Sequence, residues 1–187
     1  MSSERLRVSP QRGPLRVRIF VPGDKSISHR AVLLAALADG VSTIRNWLPA
    51  GDTLDTLAVT RSLGILIAVD KKESWAWDLR IEGQGLNGLH APDGALDCRN
   101  AGTAMRLLAG LMCGQEFPVV IDGSAQLRKR PMRRIIDPLQ QMGADIEGED
   151  FHAPLHIAPA DLHGINYEMG VASAQVKSAI LLAGLYA

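Results

Sequence analysis

Cysteine is scarce in this sequence, with only Cys98 and Cys113 among 187 residues. The two are not spaced like metal ligands, and neither lies in a sequence context typical of a nucleophile. We therefore expect no metal site and interpret both as buried free thiols. Free thiols are typical of a reducing compartment, which favours a cytoplasmic location.

A net charge is also missing, because 20 Lys and Arg residues balance 20 Asp and Glu residues. This balance argues against a general nucleic-acid binder and against a membrane-surface protein. No apolar run reaches the roughly 18 residues that a membrane span needs, and residues 1–13 lack the apolar stretch of a signal peptide. The composition is that of a soluble globular protein of one or two domains.

Polar residues precede the first strongly helical segment. Residues 22–30 read Pro-Gly-Asp-Lys-Ser-Ile-Ser-His-Arg and lead into 31–38, a run of helix-forming Ala and Leu with one Val. The free N–H groups and positive dipole of a helix start already favour an anion. Because Lys25 and Arg30 add positive charge to that end, the pattern predicts an anionic ligand.

The same arrangement occurs three times. Similar Leu/Ala pentamers begin at Leu33, Leu107 and Leu181, at two equal intervals of 74 residues. A short polar stretch precedes each pentamer. A period of this length suits a βαβαββ unit repeated within one α/β domain. The predicted units span about 15–90, 91–160 and 161–187, with the third incomplete and with residues 1–14 as a tail.

Periodicity and breakers predict the individual elements. We expect strands at 15–21, 42–46, 65–69, 75–82, 117–121, 144–147, 154–157 and 165–170. We expect helices at 31–38, from about Asp52 to residue 63, and at 103–112, 133–142 and 174–186. Asp52 has the spacing of an N-cap.

Four segments carry a resemblance to a known family. Residues 21–30, 96–106, 130–132 and 173–179 are similar to 3-phosphoshikimate 1-carboxyvinyltransferases (EPSP synthases), and the resemblance extends from about residue 15 to 187. It implies two domains of three βαβαββ units each, with helices inside, sheets outside and helix starts facing the cleft between the domains. Residues 15–187 would be the N-terminal substrate-binding domain. The C-terminal catalytic domain would be absent, and the intact enzyme would be a monomer.

The resemblance also implies the reaction. The family transfers the enolpyruvyl group of phosphoenolpyruvate to the 5-hydroxyl of shikimate 3-phosphate and needs no metal or organic cofactor. Lys25 would be the catalytic residue of this half and would contact both substrates. The other residues implied for shikimate 3-phosphate are Ser26, Arg30, Ser173, Ala174 and Gln175.

A second group is implied for phosphoenolpyruvate. Gly102 would let this substrate lie against the backbone, and Arg130 would pair with it. Asn100 and Thr103 would shape the turn, and Asp52 would orient a cationic site residue if it is not an N-cap. The family resemblance also suggests inhibition by glyphosate in the space that Gly102 leaves.

Three other functions are alternatives to this family. A P-loop is rejected because Asp24 and Ile19 occupy positions that need glycine. A UDP-N-acetylglucosamine enolpyruvyl transferase shares the fold, but its first motif lacks this Lys-Ser-x-Ser-x-Arg pattern. Its mobile-loop cysteine also has no clear equivalent here. A non-catalytic domain that binds phosphorylated ligands stays open for a chain of this length.

Overall fold

The computed structural model describes residues 7–10 and 12–187, and both helices and strands occur from Lys25 onward. The helices are α1 (Lys25–Leu37), α2 (Gly51–Ser62), α3 (Gly102–Met112), α4 (Ala125–Arg128), α5 (Arg133–Gln141) and α6 (Ala174–Ala183). The strands are β1 (Asp39–Trp47), β2 (Leu66–Glu73), β3 (Ala76–Gln84), β4 (Leu96–Asp97), β5 (Val119–Asp122), β6 (Asp145–Gly148) and β7 (Leu155–Ala158). The mixed α/β class is as expected. None of the described helices combines the length and the apolar character that crossing a bilayer requires.

The strands form two sheets with related orders. The first is β1-β3-β2 and the second is β4-β5-β7-β6. In both, the strand that comes last in the chain lies between two earlier strands and pairs antiparallel with each. The second sheet has the additional strand β4, which pairs parallel with β5. The prediction of three repeated units, with helices inside and the third unit incomplete, stays a prediction.

The first two Leu/Ala pentamers lie within α1 and α3, and the third begins in α6 and runs two residues past its end at Ala183. Helix α3 is buried along almost its whole length and packs closely on α6. A Cβ atom added to Gly110 of α3 would lie 2.1 Å from the carbonyl oxygen of Ala179 on α6. This glycine therefore permits the close approach of the two helices.

Most predicted boundaries hold within a few residues. Helix α1 begins at Lys25 rather than at residue 31, which places Lys25 and Arg30 inside the helix. Helix α6 ends at Ala183 instead of residue 186. Gly64 and Gly143 follow α2 and α5 with φ of +89° and +91°, a backbone region in which glycine carries no Cβ penalty. The short elements β4 and α4 were not predicted.

Two predicted strands are wrong. Residues 15–21 have an alternating pattern but form no strand, and their apolar side chains are exposed, Leu15 and Phe20 by 77% and 79%. Residues 165–170 also form no strand, although Ile165, Tyr167 and Met169 pack against the core. Alternating apolar and polar residues indicate which side chains would share one face of a strand. A strand also needs a neighbouring backbone to accept and donate its hydrogen bonds. No described segment supplies one here.

Candidate functional site

The start of α1 presents a lysine beside a carboxylate. Asp24 is the N-cap, and its side chain accepts a hydrogen bond of 2.8 Å from the N–H of Ile27. The ammonium group of Lys25 pairs with the carboxylate of Asp52 in the first turn of α2. The N-cap prediction for Asp52 is wrong, because the N-cap of α2 is Ala50. A cap must precede the helix, whereas Asp52 lies within it and is free to reach Lys25.

Arg30 joins the start of α1 to the start of α6. Its Nε and Nη2 donate to the hydroxyl of Ser178 at 3.0 and 2.7 Å. Nη2 also donates to the carbonyl of Ala174 at 3.2 Å, and Nη1 donates to the carbonyl of Ser26 at 2.9 Å. All of these acceptors are neutral, so they fix the guanidinium group without cancelling its charge.

A second set of bonds joins α3 to α6. The side-chain amide of Gln175 donates to the Thr103 hydroxyl at 2.9 Å, and Arg106 donates to Oε1 of Gln175 at 2.9 Å. Arg106 also reaches the carbonyl of Gly102 at 3.3 Å. Arg106 is not among the site residues that the sequence predicts. Its position one turn after Gly102, on the same helix face, was the available signal.

Guanidinium groups surround Gly102. A Cβ atom at this position would lie 2.7 Å from Nη1 of Arg130 and 3.1 Å from Nη1 of Arg106. Burial lowers the pKa of Arg106, and the positive charges of Arg130 and Arg134 lower it further. None of these three arginines has a carboxylate within salt-bridge distance in the described residues. Positive charge without a carboxylate partner is the electrostatic character of an anion site.

A cavity of about 540 Å³ opens beside these arginines, and Arg106, Arg134, Ser173 and Gln175 are among the residues that line it. Ser173 is the N-cap of α6, and its hydroxyl accepts a hydrogen bond of 3.3 Å from the N–H of Val176. Arg133 lines it as well, so the cavity brings three cationic side chains to the start of α6. Such a space is suited to a phosphate or carboxylate.

Asn100 lies in the turn that leads into α3. Its carbonyl accepts a hydrogen bond of 2.9 Å from the N–H of Gly102. Its side-chain oxygen accepts from the hydroxyl of Ser124, the residue that caps α4. Asn100 thus links the start of α3 to the segment that leads to Arg130.

The other cations near Arg130 have different surroundings. Arg128 forms a two-pronged pair with Asp122, which lowers the pKa of that carboxyl. The guanidinium carbon of Arg133 lies 3.4 Å from the centre of the Phe151 ring, a cation–π contact. Arg128 is thus paired with a carboxylate and Arg133 is stacked on an aromatic ring, whereas Arg106 and Arg130 beside Gly102 have no carboxylate partner in the described residues.

His29 lies on α1 one helical turn after Lys25, and its side chain is buried. Its Nδ1 lies 2.6 Å from the hydroxyl oxygen of Thr56. Its Nε2 is the single buried side-chain nitrogen or oxygen in the described part of the chain that has no hydrogen-bond partner. Burial lowers the pKa of His29 to about 4; Lys25 and Arg30 lower it as well, and Asp52 opposes them. The imidazole is therefore neutral at physiological pH.

Both cysteines are buried and unpaired, as the sequence predicts. Burial raises the pKa of Cys98 well above its usual range and that of Cys113 to about 12. Thiols with such pKa values are protonated and unreactive at neutral pH. Neither cysteine contributes a nucleophile to this site.

The family model described as EPSP synthase (3-phosphoshikimate 1-carboxyvinyltransferase) matches residues 10–187 of the chain. The chain belongs to the EPSP synthase family. This assignment agrees with the resemblance found in the sequence and gives no support to the UDP-N-acetylglucosamine enolpyruvyl transferase as an alternative.

Curated relatives in this family are similar over almost all of the chain. The 3-phosphoshikimate 1-carboxyvinyltransferase of Acidithiobacillus ferrooxidans is 57% identical over 170 residues, covering 91% of this chain and 38% of its own length. That of Alkalilimnicola ehrlichii is 54% identical over 177 residues, covering 94% and 39%. The solved structure of EPSP synthase from Acinetobacter baumannii superposes with a TM-score of 0.83 at 45% identity, covering 90% and 38%. The chain therefore spans about two fifths of the length of these relatives.

Proposed function

We propose that the starts of α1, α3 and α6 form one half of an EPSP synthase active site, the half that holds both anionic substrates. The observation that carries this proposal is the hydrogen-bonded junction of the three helix starts. Arg30 links α1 to α6, and Arg106 and Gln175 link α3 to α6. The N–H groups and positive dipole ends of three helix starts, together with arginines that have no carboxylate partner in the described residues, favour multiply charged anions at this junction.

Shikimate 3-phosphate occupies the side between α1 and α6 in this proposal. Arg30 supplies a guanidinium group already oriented by neutral acceptors, and Ser26 lies in the same turn. At the start of α6, the Ser173 hydroxyl can donate its proton, and the amide nitrogen of Gln175 has a second hydrogen besides the one that it donates to Thr103. Ala174 has no hydroxyl, so only its backbone N–H can donate there.

Phosphoenolpyruvate occupies the side next to α3. Gly102 leaves the backbone open to an anion, and Arg130 and Arg106 flank the space. Asn100 and Thr103 hold the turn and its contact with α6. Lys25 faces both substrates, and Asp52 orients its ammonium group.

The reaction adds the 5-hydroxyl oxygen of shikimate 3-phosphate to C2 of phosphoenolpyruvate. The hydroxyl gives up its proton to a base, and a proton is added to the C3 methylene carbon. The resulting tetrahedral intermediate then loses phosphate and a C3 proton, which regenerates the enolpyruvyl double bond. Lys25 stabilises the negative charge that develops and is the proton carrier of this half. Further acid and base groups come from the C-terminal domain that the family resemblance implies.

A domain that binds the same anions without turnover is the second candidate. The observation that favours it is the group of arginines without carboxylate partners around Gly102, because a guanidinium group binds anions but does not give up a proton. Phosphate release from the two substrates distinguishes the candidates, since binding alone releases none.

Gly102→Ala tests the phosphoenolpyruvate side. The new methyl group would lie 2.7 Å from Arg130 and 3.1 Å from Arg106, so these guanidinium groups must move out of the anion site. We expect phosphoenolpyruvate to bind about tenfold more weakly, or about 1.4 kcal/mol, in a calorimetric titration. Glyphosate should lose affinity in the same variant.

The matched control is Gly51→Ala. Gly51 is the first residue of α2, and a Cβ atom there would meet nothing within 4 Å. This variant should bind phosphoenolpyruvate like the unsubstituted chain. If the unsubstituted chain, Gly102→Ala and Gly51→Ala all bind phosphoenolpyruvate with the same affinity, then Gly102 is not part of its binding site.

A further inference from the structure

Two side-chain contacts join α1 to α2, and in each the two partners are 27 residues apart in the sequence. Lys25 pairs with Asp52, and His29 bonds to Thr56, one helical turn further along each helix. In the described part of the chain, these are the two side-chain contacts of hydrogen-bond or ion-pair length between α1 and α2. The first contact is partly exposed to solvent, whereas both His29 and Thr56 are fully buried.

The hydrogen bonds of Thr56 indicate which tautomer His29 adopts. The Thr56 hydroxyl donates to the carbonyl of Asp52 at 3.3 Å, so its lone pair faces Nδ1 of His29 and accepts the imidazole proton. The neutral ring then has its proton on Nδ1 and a bare lone pair on Nε2. A second proton on Nε2 would place a buried charge beside Lys25 and Arg30, with only Asp52 as a counter-charge.

The exposed contact alone cannot fix the position of Lys25. Solvent-exposed ion pairs contribute little, because water screens them and two flexible side chains lose freedom when they pair. A buried hydrogen bond between two stiff positions constrains its helices far more strongly, since breaking it leaves a polar group unsatisfied. The His29–Thr56 bond therefore supplies the rigidity that the Lys25–Asp52 pair lacks.

We propose that His29 is a positioning residue for Lys25. Its bond to Thr56 fixes the register of α1 on α2, and this register keeps the ammonium group of Lys25 next to Asp52 at the start of α1. The consequence for catalysis rests on the proposed function, in which Lys25 contacts both substrates. The effect on Lys25 itself requires no ligand.

The test is the rate at which acetic anhydride labels Lys25, measured by mass spectrometry on the folded chain. Lys72 pairs with Asp70 on β2 and serves as the internal reference. Positions coupled through a shared backbone shift change each other's equilibria by on the order of three- to tenfold. We expect the labelling of Lys25 relative to Lys72 to rise by that factor in His29→Leu and in Thr56→Val.

Two features separate positioning from a general loss of structure. Thr56→Val keeps the shape of the side chain and removes only the hydroxyl. If His29→Leu does not fold, the labelling ratio of Thr56→Val still shows whether loss of the His29–Thr56 bond exposes Lys25. His29→Asn can place an amide nitrogen near the position of Nδ1, and it should restore the labelling ratio. A purely structural role would raise the labelling of Lys25 and Lys72 together.

An unchanged labelling ratio in folded Thr56→Val, or a raised ratio that His29→Asn fails to restore, would overturn the proposal. The measurement uses no substrate, so failure of the shikimate 3-phosphate assignment would leave its outcome intact. Conversely, if the chain binds shikimate 3-phosphate but the ratio of Lys25 to Lys72 labelling is unchanged in the variants, only the role of His29 is refuted.

Discussion

Arg30→Ala should weaken the binding of shikimate 3-phosphate by about 2–5 kcal/mol, the loss expected when one partner of a desolvated, hydrogen-bonded charge pair is truncated. Arg30 is oriented by Ser26, Ala174 and Ser178, all neutral acceptors. Its charge is therefore available to a ligand without prior dissociation from a carboxylate. A calorimetric titration of the chain with shikimate 3-phosphate would show at least about a 30-fold rise in Kd.

Two controls separate binding from folding. Arg61→Ala removes an arginine from the last turn of α2 and should leave affinity unchanged. Among the described residues, the Arg61 guanidinium group bonds only to a backbone carbonyl. Ser178→Ala removes an acceptor of Arg30 but keeps the guanidinium group, so it should lose much less affinity than Arg30→Ala. Affinity for shikimate 3-phosphate that is the same with and without Arg30 would refute its assignment.

Gly110→Ala should lower the free energy of unfolding by about 3 kcal/mol, at the upper end of the range for overpacked cores. The added methyl group would lie 2.1 Å from the backbone oxygen of Ala179. A backbone atom cannot rotate away, so α3 and α6 must separate. That movement would also stretch the contacts of Gln175 with Thr103 and Arg106. Urea denaturation measures the loss.

Gly51→Ala again provides the matched control, because its new methyl group enters open space. This substitution should leave stability unchanged or raise it slightly, since alanine is the better helix former. If Gly110→Ala is as stable as Gly51→Ala, then α3 and α6 do not pack as closely as described.

Local sequence patterns predicted the helices well. The Leu/Ala pentamers indicate helices, and the glycines that follow α2 and α5 mark where those helices end. The helix starts at Lys25, Gly102 and Ala174 lie in the segments that resemble the family. Residues 15–21 show the limit of such patterns. Their alternation is a local property, whereas a strand depends on a partner backbone that no local pattern specifies.

The connections within the site could not be predicted because they join distant residues. Arg30 meets Ser178 across 148 positions, and Arg106 meets Gln175 across 69. Only the family resemblance predicts that Arg30 and Gln175 belong to one site. His29 lay within a recognised motif, but its burial against Thr56 depends on how α1 packs on α2.

The measurement that most directly tests the account is a backbone amide NMR titration of this chain with shikimate 3-phosphate. A preformed half-site predicts dispersed peaks, with ligand-dependent shifts concentrated at Lys25, Ser26, Arg30 and residues 173–175. Shifts at these positions and not at the far ends of α1 and α6 would support the junction of helix starts as the binding site. Dispersed peaks that do not respond to the ligand would contradict a preformed site in this chain.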